Sequence, residues 1–194
     1  VFRDFPHQPG FAKDPDKDQR VEARAVGAVV RGVEIWSLYV PNGREITDRH
    51  YTYKLQFLYS LARYAESKAK RKLLLTGDFN IAPEDEDVWD LAVFRGKTHV
   101  TEPERAAFQM LEEAGLEEVT RRYTLYERYT YFDYKSLRFA KNEGMRIDFQ
   151  LASAPLAETV TGAQVDLDER AGEKTSDHAP LIADFAVADF DSVR

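Results

Sequence analysis

The 194-residue sequence predicts one mixed α/β domain, with mixed sheets and helices packed outside them. Three observations carry this. Strand-like runs outnumber helical ones, hairpins alternate with helices, and residues 72–76 (KLLLT) carry three leucines in succession, as in a strand covered on both faces. A doubly wound parallel sheet would follow every strand with a helix, which this chain does not do.

The elements follow in order. Residues 5–19 (FPHQPGFAKDPDKDQ) read as a Pro/Gly/Asp-rich loop, with no secondary element before it. Residues 24–31 (RAVGAVVR) and 33–40 (VEIWSLYV) are β-rich runs joined across Arg31-Gly32, a hairpin signal. Asp48, or Thr47, can cap a helix running to about Lys70, with Tyr51, Leu55, Leu58, Ala62 and Ala65 along one face. After the strand at 72–76, Thr101-Glu-Pro-Glu104 is a capping box with Pro in the first turn. The helix it starts stops near Gly115. Further strands are expected at 129–132, 146–152, 159–165 and 181–187.

Composition excludes several chemistries. There is no Cys, so disulfides, zinc-thiolate sites and cysteine nucleophiles are absent. His7, His50, His99 and His178 lack metal-ligand spacing, so a bound metal would sit on oxygen, favouring Mg²⁺, Mn²⁺ or Ca²⁺. No apolar run approaches the roughly 20 residues of a membrane span, and the first thirty residues carry no signal-peptide pattern. The expectation is a cytoplasmic protein with no membrane partner. A net charge of −7 opposes indiscriminate binding to nucleic acid but leaves room for a local basic face. Residues 119–147 offer one. Arg121, Arg122, Arg128, Lys135, Arg138, Lys141 and Arg146 there outnumber Glu127, Asp133 and Glu143 by four, interleaved with Tyr123, Tyr126, Tyr129, Tyr131, Phe132 and Tyr134.

The polar residues of interest fall at strand ends, where a rigid scaffold usually presents catalytic groups. Tyr39 and Asn42 (LYVPNG) close one strand, Asp78 and Asn80 (GDFN) follow another, Asp148 (RIDF) lies in a third, and Asp177-His178 (SDHAP) precede a fourth. Such a set suits phosphoryl transfer to water. One carboxylate can deprotonate the water, an amide can hold water or phosphate, another carboxylate can ligate a hard cation, and a His oriented by a carboxylate can donate to a phosphate oxygen. Taken singly, GDFN reads as a turn, His178 as structural and Tyr39 as core. Asp148 between Ile147 and Phe149 is more telling, because a buried acid must be paired.

In order, YVPNGR, GDFN, GMRIDF and SDHAP resemble the exonuclease III class of abasic-site endonucleases, in the endonuclease/exonuclease/phosphatase superfamily. The stretch GKTHVTEPERAAF is similar to bacterial members, and the resemblance runs from about residue 22 to 186. It implies a four-layer α/β sandwich of two mixed sheets flanked by helices, and one catalytic Mg²⁺ (Mn²⁺ possible). It also implies hydrolysis of the phosphodiester 5′ to abasic sites, with 3′–5′ exonuclease and 3′-phosphatase activity. The partner implied is double-stranded DNA with abasic sites or 3′ ends, acted on by a monomer in the bacterial cytoplasm at the nucleoid. By the same resemblance Tyr39, Asp78, Asn80, Asp148 and His178 are catalytic and Asp177 lies near the metal. Asn42, Arg44, Tyr134 and Arg146 meet DNA, and Phe132, Met145 and Ile147 build an apolar abasic pocket.

Two departures qualify this. The aromatic box reads Tyr131-Phe132-Asp133-Tyr134 without tryptophan, and the family's amino-terminal Trp-Asn and Gln-Glu motifs, which supply the main metal-ligating Glu, do not occur before Tyr39. The expectation is a single domain over residues 1–194, incomplete at its amino-terminal side, poorly active alone, with Glu22 and Glu45 the nearest substitutes for the absent ligand. The alternatives are another phosphodiesterase or phosphatase of the superfamily and a non-catalytic DNA-binding fragment.

Overall fold

A computed structural model of the chain describes residues 1–187. Two-residue strands β1 (Gly10–Phe11) and β2 (Arg20–Val21) pair within the amino-terminal loop. Strands β3 (Ala25–Val30) and β4 (Val33–Tyr39) form the expected hairpin, and its two turn residues, Arg31 at φ 49° and Gly32 at φ 77°, take the left-handed geometry of a tight hairpin turn. Helix α1 (Arg49–Lys68) starts at Asp48, whose side chain accepts from the His50 N–H at 2.9 Å. Strand β5 (Leu73–Asp78) leads to short helix α2 (Leu91–Phe94) and to α3 (Glu102–Glu113), which carries the Thr101–Glu104 capping box. Strands β6 (Leu116–Glu118) and β7 (Asp148–Ser153), helix α4 (Ala154–Ala157), strand β8 (Val160–Val165), helix α5 (Leu167–Ala171) and strand β9 (Leu181–Phe185) complete the order.

The main sheet runs β3-β4-β5-β7-β6, with only β4 and β5 parallel. Its two faces explain the apolar run of β5. Leu73 and Leu75 pack with Trp36, Phe57, Leu61, Leu111 and Phe149 beneath α1 and α3, while Leu74 faces the other way into a cluster with Ala152, Leu156 and Val160 beside the β8–β9 ribbon. The fold is thus a mixed α/β domain with a five-stranded mixed sheet flanked by helices. Besides that sheet, the described residues form two two-stranded antiparallel ribbons, β1–β2 and β8–β9. No helix of the described residues is long and apolar enough to cross a membrane.

Four expectations need correction. Residues 129–132 form no ladder, because Tyr131 bridges singly to both Met145 and His178, and pairing divided between two segments cannot propagate. Strand β7 begins at Asp148, not at residue 146, since the Arg146 N–H leaves the sheet to bond Asp87 O. The buried face of α1 is centred on Tyr53, Lys54, Phe57, Leu58 and Leu61, so Tyr51 and Leu55 are only half-buried at its margin. The carboxy-terminal part of residues 181–187 follows β9 as coil, and residues 188–194 lie outside the described part.

Candidate active site

Register assembles the site. Tyr39 of β4 is the Cα partner of Asp78 on β5, and Asp78 is the partner of Asp148 on β7, so three residues far apart in sequence form one transverse row at the end of the sheet. Partners across a ladder project to the same face, here the one away from α1 and α3. Gly77 permits this approach. Its φ is 133°, and a Cβ there would lie 2.1 Å from Leu38 O, so a side chain would separate β4 from β5 just before the acid.

The turn before β9 brings His178 to the row, held by Ala179 N–H to Thr130 O at 2.7 Å and Phe132 N–H to Asp177 O at 2.8 Å. His178 Nδ1 is 2.8 Å from Asp148 Oδ2. The carboxylate can only accept, so Nδ1 carries the proton and Nε2 is left for a substrate. Burial works against a charged imidazole, but the hydrogen bond and charge of Asp148, with Asp78 and Asp177 adding theirs, hold His178 above the ordinary histidine value. Asp78 is pushed up to about 7, first by burial and then by the Asp148 charge, against the opposing pull of His178, the Asn80 N–H and Lys54.

Asn80, at φ 53°, is buried and saturated by the protein. Its backbone N–H and Nδ2 both donate to the Asp78 carboxylate, at 2.8 and 2.9 Å, Nδ2 also donates to Val40 O at 3.0 Å, and Oδ1 accepts from Asn42 Nδ2 at 2.9 Å. Its side chain therefore aims Asp78 and Asn42. Asn42 is exposed and keeps a second amide hydrogen for a ligand. Tyr39 is 54% exposed, with the Arg24 guanidinium 5.2 Å above its ring and Arg24 paired to Glu22.

Sequence reasoning missed what lies beneath. Lys54 is fully buried on α1 and donates to Asn80 O at 2.6 Å, Asn42 O at 3.2 Å and Thr98 Oγ1 at 3.3 Å, and it pairs with Glu104 of α3. Burial presses the Lys54 value down while Glu104 resists. One ammonium thus joins the loops bearing both amides. Its available signal was a lysine three and four residues before Phe57 and Leu58, inside an apolar stripe. His99 was also overlooked. Its Nδ1 lies 2.5 Å from Asn80 O, and burial, then the Lys54 charge, lower its value to about 4.

Some residues are not where the resemblance put them. Arg146 is 0% exposed, donating to Thr124 Oγ1, Thr120 Oγ1 and Arg128 O, so it ties loops together beneath the surface. Phe132 (1% exposed) packs on Tyr129 and Phe139, and Ile147 (2%) sits in a cluster with Ala82 and Val88. Of the expected pocket, Met145 lines a cavity of about 310 Å³ shared with Trp89, Phe94, His99 and Tyr131 and rimmed by Arg44 and Lys97. Tyr134 is well exposed, its hydroxyl donating to Thr175 O at 2.6 Å. Asp177 is half-buried beside His178, Glu45 lines the same cavity as Met145, and no group of three or more acids or histidines among the described residues could by itself cage a metal.

Residues 5–178 match the model of the endonuclease/exonuclease/phosphatase family. The chain is 35% identical over 161 residues to an exodeoxyribonuclease III of Haemophilus influenzae, covering 76% of this chain and 59% of that one. Among solved structures, a Neisseria 3′ phosphatase bound to product DNA hairpin superposes with a TM-score of 0.80 at 35% identity, over 94% of this chain and 72% of that one. An AP endonuclease from Archaeoglobus fulgidus superposes with a TM-score of 0.81 at 33% identity, over 92% and 72%. With the family model spanning most of the chain and these likenesses in sequence and fold, the chain belongs to the exonuclease III class of the endonuclease/exonuclease/phosphatase family.

Proposed function

We propose that the chain is the hydrolytic part of a DNA-repair nuclease that cleaves phosphate esters at 3′ ends, as phosphatase and exonuclease, more readily than it incises at internal abasic sites. The row of Tyr39, Asp78 and Asp148 capped by His178 carries the hydrolytic reading. The choice among activities rests on the burial of Phe132 and Ile147, which leaves Met145 alone of the three expected pocket residues at a cavity. The Neisseria neighbour, described as a 3′ phosphatase, agrees with it.

In this reading Asp78, ionised and aimed by Asn80, orients and deprotonates the attacking water. His178, protonated and fixed by Asp148, donates from Nε2 to a non-bridging phosphate oxygen as charge builds. Tyr39 and the free amide hydrogen of Asn42 hold the phosphate. Asp148 adds to the burial that raises Asp78, and Asp78, Asp148 and Asp177 all act on His178, so the site carries the negative charge a divalent cation would answer, although these acids alone form no cage. Asp177 would hold it, with water and substrate phosphate completing an open Mg²⁺ site, and the ion would neutralise developing charge.

The test compares three duplexes in Mg²⁺, carrying a 3′-phosphate, a 3′-hydroxyl end and an internal abasic site, with the wild-type chain, Asp78→Asn and His178→Ala. Expected are turnover at the 3′ ends and losses of about 10²–10⁴-fold in both variants. Full activity in either variant would remove that residue from the chemistry. Faster cleavage at the abasic site than at either end would reverse the substrate order.

A further inference from the structure

Arg170 lies outside the row described above, yet it is 92% buried and its contacts converge on the two segments flanking His178. It comes from α5, and its Nη2 donates to Phe132 O at 3.0 Å. Its guanidinium carbon lies 4.8 Å from the centre of the Phe139 ring and 5.4 Å from that of Tyr134, so two aromatic rings are within cation–π reach of it. No carboxylate among the described residues pairs with it. The two rings take that place, and the buried Nε has no hydrogen-bond partner.

The backbone of the same residue reaches the other segment. Thr175 Oγ1 donates to Arg170 O at 2.9 Å, and Tyr134 O–H donates to Thr175 O at 2.6 Å. Phe132, whose carbonyl Arg170 holds, donates its N–H to Asp177 O at 2.8 Å. A closed circuit therefore runs from Arg170 through Phe132 to Asp177, and from Arg170 through Thr175 to Tyr134 and back to the guanidinium. One member of the circuit, Tyr134, is 61% exposed, and another is the residue before His178.

Neither segment has a ladder of its own at this point, so their relative placement depends on such contacts. His178 meets Asp148 through one hydrogen bond, and a shift of about 1 Å in such a group can cost on the order of 10²-fold in rate. We propose that Arg170 is a positioning residue. It clasps the aromatic segment around residues 132–139 to the turn at residues 175–178, and so sets His178 against Asp148 and links it to the surface where Tyr134 is exposed. The proposal rests on the hydrolytic reading of the row, and it adds a residue that touches no reacting atom.

The experiment uses the 194-residue chain. Arg170→Met keeps the stem and its packing but removes the planar cation, Arg170→Lys keeps charge without the plane, and Thr175→Val cuts the other link at nearly constant shape. With a 3′-phosphorylated duplex in Mg²⁺, Arg170→Met is expected to lose about 10²-fold in kcat with KM within about threefold, because the groups displaced act in the transition state. Arg170→Lys should not rescue it, since an ammonium lacks the planar fork that reaches Phe132 O while contacting both rings, and Thr175→Val should lose about tenfold in kcat. The His178 Nδ1 proton resonance, visible only while the bond to Asp148 persists, should broaden or move upfield in Arg170→Met. An unchanged kcat in folded Arg170→Met overturns the proposal, as does a rise in KM alone, which would make Arg170 a DNA contact. If Arg170→Met does not fold, Thr175→Val decides by the same criterion. If the wild-type chain hydrolyses none of the duplexes, the hydrolytic reading fails while the resonance still judges the clasp. A signal retained unchanged in Arg170→Met would then refute it.

Discussion

Asp78 holds its charge against burial and against Asp148, and that tension has a sign that can be measured. With its value raised from 3.8 to about 7, the folded chain keeps a proton that the unfolded chain has already released. The stability associated with the protonated acid is complete below about pH 4 and is lost as pH rises to about 7, then stays level. Asp78→Asn removes the penalty but turns an NH₂ toward Asn80 Nδ2 in place of an acceptor, costing one hydrogen bond. The net gain at pH 8 should be about 1–2 kcal/mol, or roughly 2–8 °C in Tm, shrinking as pH falls below 7 and gone by about pH 4, where Asp78 is protonated in both states. Thermal melts from pH 4 to 8 test it, and a constant difference across that range would mean Asp78 is not shifted. The rate in turn should climb through the pH at which Asp78 ionises, and in the metal-free protein that is near 7. Asp78, Asp148 and His178 were readable from sequence because each stands in a short motif at a strand end. The saturation of Asn80 was not, because it depends on Val40 O and Asn42 arriving from another strand's loop.

At the scale of elements, α1 and α3 are joined by an ion pair that no solvent reaches, Lys54 with Glu104, and the same ammonium supports both amide-bearing loops. Removing one partner strands the other. Lys54→Met should cost about 3–5 kcal/mol in urea unfolding, and Lys54→Met combined with Glu104→Gln should recover much of that, because the orphaned carboxylate is gone. Additive losses in the double variant would show that the two do not interact. Gly77→Ala is the sharper change. The added Cβ would meet Leu38 O at 2.1 Å in a backbone conformation that side chains rarely adopt, so the variant should lose at least about 3 kcal/mol or fail to accumulate as folded protein. A native melting temperature would exclude the close β4–β5 approach. The helices were legible through their caps, Asp48 and the Thr101–Glu104 box, which are local. Residues 129–132 have strand-like composition, but their pairing was decided by Met145 and His178, which local composition does not encode. The buried lysine was hidden for the opposite reason, since a helix with many charges ordinarily displays them to water.

Over the whole molecule, the distribution of charge decides how the chain meets a polyanion. The sequence placed seven cations in residues 119–147, but folding has spent several of them. Arg146 is buried, Arg121 is held by Asp87 at 2.8 and 2.9 Å and by Glu84 at 3.2 Å, Arg138 is paired with Glu143, and Arg122 lies 3.8 Å from Glu117. Arg128, Lys135 and Lys141 make no ion pair among the described residues, and Arg44 and Lys97 stand at the rim of the cavity beside the row. Each cation that neutralises a phosphate on duplex DNA contributes about −0.9 to the slope of log K against log salt. Three to five contacts therefore predict a slope between about −3 and −5, whereas all seven cations of the segment would give about −6. Binding of a duplex carrying a 3′-phosphate, followed by fluorescence anisotropy in EDTA from 50 to 200 mM salt, distinguishes the two. Lys141→Ser should flatten the slope by about 1 if that ammonium touches the backbone, and Arg121→Ser should leave the slope unchanged while lowering stability through the freed Asp87. A slope at the steep end, with Arg121→Ser flattening it, would mean that these ion pairs open on DNA and that the positive count in the sequence, not the folded distribution, governs binding.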